Sequence, residues 1–302
     1  MIMPRHARQR GVTLVELIIV IVLMGIISAT LTIFIKPAMD SFSDTRVRAD
    51  MADQSDTALR RMLRDVRRAV PNSLRVPSDQ CFELVPLVSG GRYRMGPDLG
   101  TPGETNCTPS DNGVTASCSA WVDPSQATTT FDVLSTMSVT PIVGDYVVIN
   151  NQNGNDVYTG ANTRTIASFP TNTSTQGTKR ITLSSSIQVS PGYTGGRFQT
   201  VSQNEQSVFY ICSGADNTLN ASGNGKGTLY RLVRGFNSTY PSACPATTGA
   251  VVLATNVKYC SFIYNANQGS TQQSGFLWMN LEIARNNEVS KMVVGAHVMN
   301  VP

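Results

Sequence analysis

Few residues in this chain have the type and spacing for chemistry, and the most informative one stands where a charge is least at home. Glu16 interrupts an otherwise apolar stretch over residues 12–35. An ionised carboxylate deep in a membrane-length helix costs about 2–3 kcal/mol on insertion scales. Beside an opposite charge it would become half of an ion pair. Removing one partner from such a buried pair is strongly unfavourable. A residue so placed needs a specific reason, and that reason is the best clue to function.

The other reactive types point away from catalysis. Cys81, Cys107, Cys118, Cys212, Cys244 and Cys260 all follow the apolar stretch. None stands in a CxxC pair or near a histidine, which argues against a zinc site. An even number of cysteines in an exported body predicts disulfides. Cys107 and Cys118 bracket a short polar loop and are the first candidate pair. Cys212 and Cys260 each sit in a strand-like run and could bridge two strands, or either could pair with Cys244; Cys81 is left unassigned. A Ser-His-Asp or Cys-His arrangement after the apolar stretch could run only through His297, which lies in a strand-like run. Residues 223–228, GNGKGT, fail as a phosphate loop because Gly227 follows Lys226 and the glycine spacing is wrong. Residues 151–156, NQNGND, offer one carboxylate and no downstream bidentate Glu for calcium. No catalytic residue, metal or cofactor is expected, and the chain does not read as an enzyme.

Composition agrees. The net charge is +4, and Arg5, Arg8 and Arg10, before the apolar stretch, supply most of it. The nearly neutral remainder gives no basis for a nucleic-acid partner. Charged residues are only 15% of the chain, and Gly, Ser, Thr and Asn abound after residue 70. With short Val/Ile/Tyr-rich runs between turns, this predicts a β-rich extracytoplasmic body.

The elements that must position Glu16 follow in chain order. Residues 1–11 form a basic leader. The apolar core has no small-residue cleavage site at its far end, so the expected cut precedes it, at Gly11. Residues 17–35 suffice to cross a bilayer. The leader is expected to stay cytoplasmic and the body to face outward. Gly25, Ser28 and Ala29 would permit close approach of another helix. Pro37 is a point of bending or local melting. Beyond it, Phe42, Val47, Ala49, Ala52, Leu59, Met62, Leu63, Val66 and Val70 fall largely on one helical stripe. Arg60, Arg61, Arg64, Arg67 and Arg68 crowd the last turns, where cations oppose the macrodipole. Pro71 ends the helix.

The expected division is thus 1–11 leader, 12–36 membrane and assembly half, 37–70 amphipathic half, and 71–302 β-rich globular domain. Within that domain strands are expected near 81–88, 130–134, 145–150, 180–184, 197–202, 207–212, 228–234, 257–265, 276–284 and 289–300. A break near 170–177 could divide it into two lobes. The fold class is α+β: a long N-terminal helix packed on a large antiparallel β-rich body.

GVTLVEL after a basic leader ending in Gly, followed by an apolar helix, resembles the motif of type IV pilins and type II secretion pseudopilins. That resemblance implies a prepilin peptidase that cuts after Gly11 and methylates the new N-terminal Val12. Most members have Phe there, so Val12 is a departure. The family's acidic fifth mature residue corresponds to Glu16, and the resemblance implies that it pairs with the α-amino group of a neighbouring subunit, favouring assembly over solitude and helping to set register. Later segments are similar to minor pilins of mannose-sensitive haemagglutinin (MSHA) pili and, in architecture, to W-type minor pilins and J-type pseudopilins. The resemblance implies a non-enzymatic filament subunit held in the inner membrane before assembly. Its implied partners are other minor pilins and the major pilin, met through the N-terminal helix. A J-type pseudopilin and a pilus-tip adhesin are the alternatives.

Overall fold

The computed structural model describes residues 11–98, 118–170, 177–267 and 274–299. The chain divides into two compact units, Met1–Asp50 and Met51–Pro302.

The first unit is the outer part of helix α1 (Leu14–Arg67). From Leu14 to Asp50 the helix is exposed throughout, with Val47 alone half-buried. The hydroxyls of Thr30 and Thr32 fold back on Ile26 O (3.0 Å) and Ser28 O (2.8 Å), so neither presents an unpaired polar group to an apolar surrounding. The helix runs unbroken through Pro37. The loss of one amide donor is tolerated there rather than melting the segment.

In the second unit the remaining turns of α1 bury Met51, Ser55, Ala58, Leu59, Met62 and Val66. Their spacing is that of one helical face. The stripe is shorter than the sequence suggests: Phe42 and Ala49 are exposed, and burial starts only at Met51. The helix also ends early, at Arg67 rather than residue 70. Ala69 forms a β-bridge with Pro86, and the Val70 amide donates to Val85 O at 2.9 Å. Val70 precedes Pro71, which disfavours the helical region for it, so extended pairing wins.

After the helix come β1 (Arg75–Ser78) and β2 (Cys81–Leu84). The chain then builds β3 (Ser89–Arg92), β4 (Thr128–Val133), β5 (Tyr146–Ile149), the short helix α2 (Asp156–Thr159), β6 (Thr163–Ser168), β7 (Lys179–Ile187) and β8 (Arg197–Val201). It closes with β9 (Ser207–Ser213), β10 (Gly227–Arg234), β11 (Val251–Asn265), β12 (Ser274–Arg285) and β13 (Glu288–Met299). One sheet has the order β1-β2-β9-β10-β11-β12-β13 and the other β3-β8-β5-β6-β7-β4. The pairings are antiparallel. The smaller sheet is thus an insertion between β2 and β9. The division does not fall near 170–177: β6 and β7 flank that stretch and pair with each other.

Alternation places the core. Leu277, Met279, Leu281 and Ile283 of β12 are buried, while Trp278 between them is exposed. Asn286 and Asn287, with φ of 51° and 64°, turn the chain from β12 into β13. Two consecutive left-handed residues match the twist of a tight hairpin. β11 starts at Val251, well before the expected 257. Its first half pairs with β10 and its second with β12.

Candidate functional site

The residues singled out by the sequence meet at the start of α1. Thr13 precedes the first helical residue, and its side chain and that of Glu16 close on each other. The Thr13 amide and hydroxyl both donate to Glu16 Oε2 at 2.9 Å, and the Glu16 amide donates to Thr13 Oγ1 at 3.3 Å. This is a capping box, in which residues three apart satisfy amides that the helix start would leave unpaired. The T-x-x-E spacing was there to be read in the sequence, and Thr13 is the partner that the sequence reading overlooked.

Around this cap the surface is apolar and open. Val12, Leu14, Val15 and Leu17 are all more than half exposed. A Cβ placed on Gly25 would meet nothing within 4 Å, so its small size serves no packing within the chain. Among the described residues, α1 is the one helix long and apolar enough to cross a membrane. The site can therefore do one physical thing well. It presents a continuous apolar rod, headed by a capped carboxylate, to lipid or to other helices.

The other end of α1 is fastened to the body by a polar cluster. Tyr210 Oη donates to Asp65 Oδ2 at 2.6 Å, and Arg231 Nη2 lies 3.0 Å from the same oxygen. Arg231 also pairs with Glu205. Burial pushes the Tyr210 hydroxyl up from its ordinary pKa, with the Asp65 charge adding to it. Tyr210 therefore stays a donor to Asp65 at any ordinary pH.

Of the cysteines, Cys81 and Cys244 are bonded, with Cα atoms 5.7 Å apart, and Cys212 and Cys260 likewise at 6.5 Å. The first bridge ties β2 to the loop between β10 and β11; the second joins β9 to β11. Cys118 is also disulfide-bonded. Cys107, proposed as its partner, lies outside the described residues.

The discarded motifs have structural occupations. In 151–156, Asn151 Nδ2 donates to Pro71 O at 2.7 Å and Asp156 Oδ2 accepts from Asn153 Nδ2 at 2.9 Å. In 223–228, Lys226 pairs with Asp216 at 3.0 Å, and β10 begins at Gly227. His297 stands edge-on to Phe276, with ring centroids 4.9 Å apart. Among the described residues no group of three or more His, Cys, Asp or Glu could hold a metal ion.

Residues 6–32 match the prokaryotic N-terminal methylation motif. No curated protein and no solved structure matches the chain. The motif implies processing by a prepilin peptidase and fits a structural role. Together with the exposed apolar helix, it indicates a membrane-anchored, pilus-associated protein of the type IV pilin-like or pseudopilin kind.

Proposed function

We propose that this chain is a minor pilin that primes or stabilises assembly of an MSHA-type type IV pilus, at or near the tip, and so supports surface attachment. The observation that carries the reading is the methylation motif at residues 6–32 leading into a helix whose apolar side chains are exposed among the described residues. Processing cuts after Gly11 and methylates Val12. The single-pass helix holds the body in the periplasm until the filament takes it up. Glu16 then keeps its Thr13 cap and offers its second oxygen to the α-amino group of a neighbouring subunit, and the apolar rod becomes filament core. The MSHA assignment draws on residues 60–76, 87–94, 260–265 and 297–302, which resemble the MSHA biogenesis protein MshO.

The test is a clean deletion, with pili counted by electron microscopy. The priming role predicts fewer pili. Normal pilus number with lost adhesion would replace it by a tip adhesin. Failed effector secretion with pili intact would replace it by a J-type pseudopilin. Mass spectrometry of the mature chain should find N-methyl-Val12 at its start. An intact leader in peptidase-positive cells would sink the pilin reading altogether.

A further inference from the structure

A cleft of about 340 Å³ opens beside β3, at the foot of α1, within the second unit. Its size suits one or two side chains of a ligand rather than a water cluster. Three arginines line it: Arg67 from the last turn of α1, Arg92 from β3 and Arg197 from β8. All three are exposed. Among the described residues none of them stands in an ion pair, whereas Arg75, Arg180, Arg231 and Arg234 each have a carboxylate partner.

The rest of the lining is chiefly apolar and includes Leu87 and Met299; Phe198, which also lines it, is buried. Gly90 and Gly91 let β3 pack closely on Phe198 and Ser135. A Cβ on Gly90 would stand 2.9 Å from Phe198 O, and one on Gly91 2.9 Å from both Phe198 Cε1 and Ser135 Oγ. β3 ends its sheet, and residues 134–139 cover its outer edge: the Leu134 amide donates to Arg92 O at 2.8 Å and the Arg92 amide to Ser135 Oγ at 2.9 Å. Gln199 also lines the cleft; it is 9% exposed, and its Oε1 has no hydrogen-bond partner. Rotation about its soft terminal torsion would offer that oxygen to an incoming N–H.

We propose that this cleft receives a segment of a partner protein in which an apolar side chain adjoins a carboxylate. The apolar group rests on Leu87 and Met299, and the carboxylate pairs with the arginines. A guanidinium fork matches a carboxylate better than any other donor does. A carboxylated sugar has the same charge, but it would bury several hydroxyls where only Ser135 and Gln199 offer neutral polar side chains, and unpaired hydroxyls are costly. That the partner is another filament subunit rests on the function proposed above; the chemistry of the cleft does not.

The full chain in detergent micelles is titrated by fluorescence anisotropy with three labelled pentapeptides. One ends in Val-Leu with a free carboxylate, the second is its carboxamide, and the third is a carboxamide with glutamate beside the leucine. A carboxylate-bearing probe should bind at least about tenfold more tightly than the uncharged one. The tighter of the two tells whether a chain terminus or a side chain supplies the charge. Arg92→Gln and Arg197→Gln should each weaken binding about tenfold with an unchanged thermal melt, because both side chains are exposed. Equal binding of the uncharged probe would overturn the proposal, as would unaltered binding by both variants. So would arginine-dependent binding of trigalacturonate in place of the peptides, or no binding by any probe. None of these outcomes bears on pilus number, so the cleft and the filament role fail separately.

Discussion

Replacing Arg75 by Met tests what holds the two sheets to each other. Arg75 is 1% exposed and Glu83 is 0% exposed. The two are Cα partners across β1 and β2, with Nη1 3.5 Å from Glu83 Oε2. The guanidinium carbon lies 3.3 Å from the centroid of Tyr158, in α2. The same side chain donates to Gly154 O at 3.3 Å, to Asn237 O at 3.1 Å and to Asn155 Oδ1. One residue thus joins the larger sheet to the β5–β6 connection of the smaller one. Burial is the largest influence on the guanidinium and lowers its pKa; the neighbouring Tyr158 and Glu83 raise it again.

Met keeps much of the apolar volume and removes both the charge and the donors. Breaking a buried pair costs about 3–5 kcal/mol. Glu83 would keep Ser207 Oγ at 2.5 Å and Arg234 at 3.5 Å, so the lower end applies, about 3 kcal/mol. For a body of this size that is roughly 6–12 °C in Tm. The assay is thermal and urea unfolding of the full chain in detergent, followed by near-ultraviolet circular dichroism. A loss under about 1 kcal/mol, the worth of one ordinary hydrogen bond, would refute the argument that Arg75 organises the junction. Adding Glu83→Gln separates its parts. If an orphaned carboxylate causes the loss, the double variant is more stable than the sum of the singles predicts. Additivity within about 0.5 kcal/mol would shift the cause to the lost carbonyl and amide acceptors.

Three further outcomes are expected. Peptide mapping without reduction should recover Cys81–Cys244 and Cys212–Cys260, and reduction should destabilise the body by about 2–5 kcal/mol for a bridge lost; other pairings would contradict the fold. The Asp216 carboxyl, held down to about 2 chiefly by the Thr218 hydroxyl and then by Lys226, should titrate near that value by NMR, and Thr218→Ala should move it back toward 3.8. Because its folded pKa is depressed, the stability it adds is present above about pH 4 and is lost as the pH falls toward 2; a shallower fall in melting temperature over that window in Asp216→Asn than in the parent would locate the effect, and equal slopes would refute it. Glu16→Ala should lower the amount of chain in sheared filaments more than Thr13→Val does. Equal losses would mean that the cap, worth about 1 kcal/mol, is all that Glu16 supplies.

Legibility in the sequence followed how local the cause was. β12 could be read because one of its faces is buried, so Leu277, Met279, Leu281 and Ile283 alternate with half-buried or exposed neighbours. β3 could not. Ser-Gly-Gly-Arg looks like a turn, and it is a strand because β8 pairs with it from Ser89↔Thr200 to Arg92↔Arg197. The residues that make it a strand lie far along the chain, and its glycines answer to Phe198 rather than to a bend. Arg75 and Glu83 were invisible for the same reason. Their meeting depends on the β1–β2 register, and neither belongs to a motif. The end of α1 was misplaced because Pro71 marks where a helix cannot continue, while the bridge from Ala69 to Pro86 decides where it stops.

Glu16 shows the two kinds of cause acting together. Read alone, it is a charge stranded in apolar sequence, and the only remedy seems to be another chain. In the folded subunit Thr13 already supplies two donors to its carboxylate, which reduces the cost of keeping it near the membrane interface before assembly. A carboxylate with no local partner would drive indiscriminate pairing, and one fully satisfied would drive none. Oε2 accepts both Thr13 bonds, leaving the second oxygen without a donor from that residue. A neighbour's α-amino group can therefore bind without first unwinding the helix start. On this arrangement the cap sets how long the subunit can wait, and the free oxygen sets what it waits for.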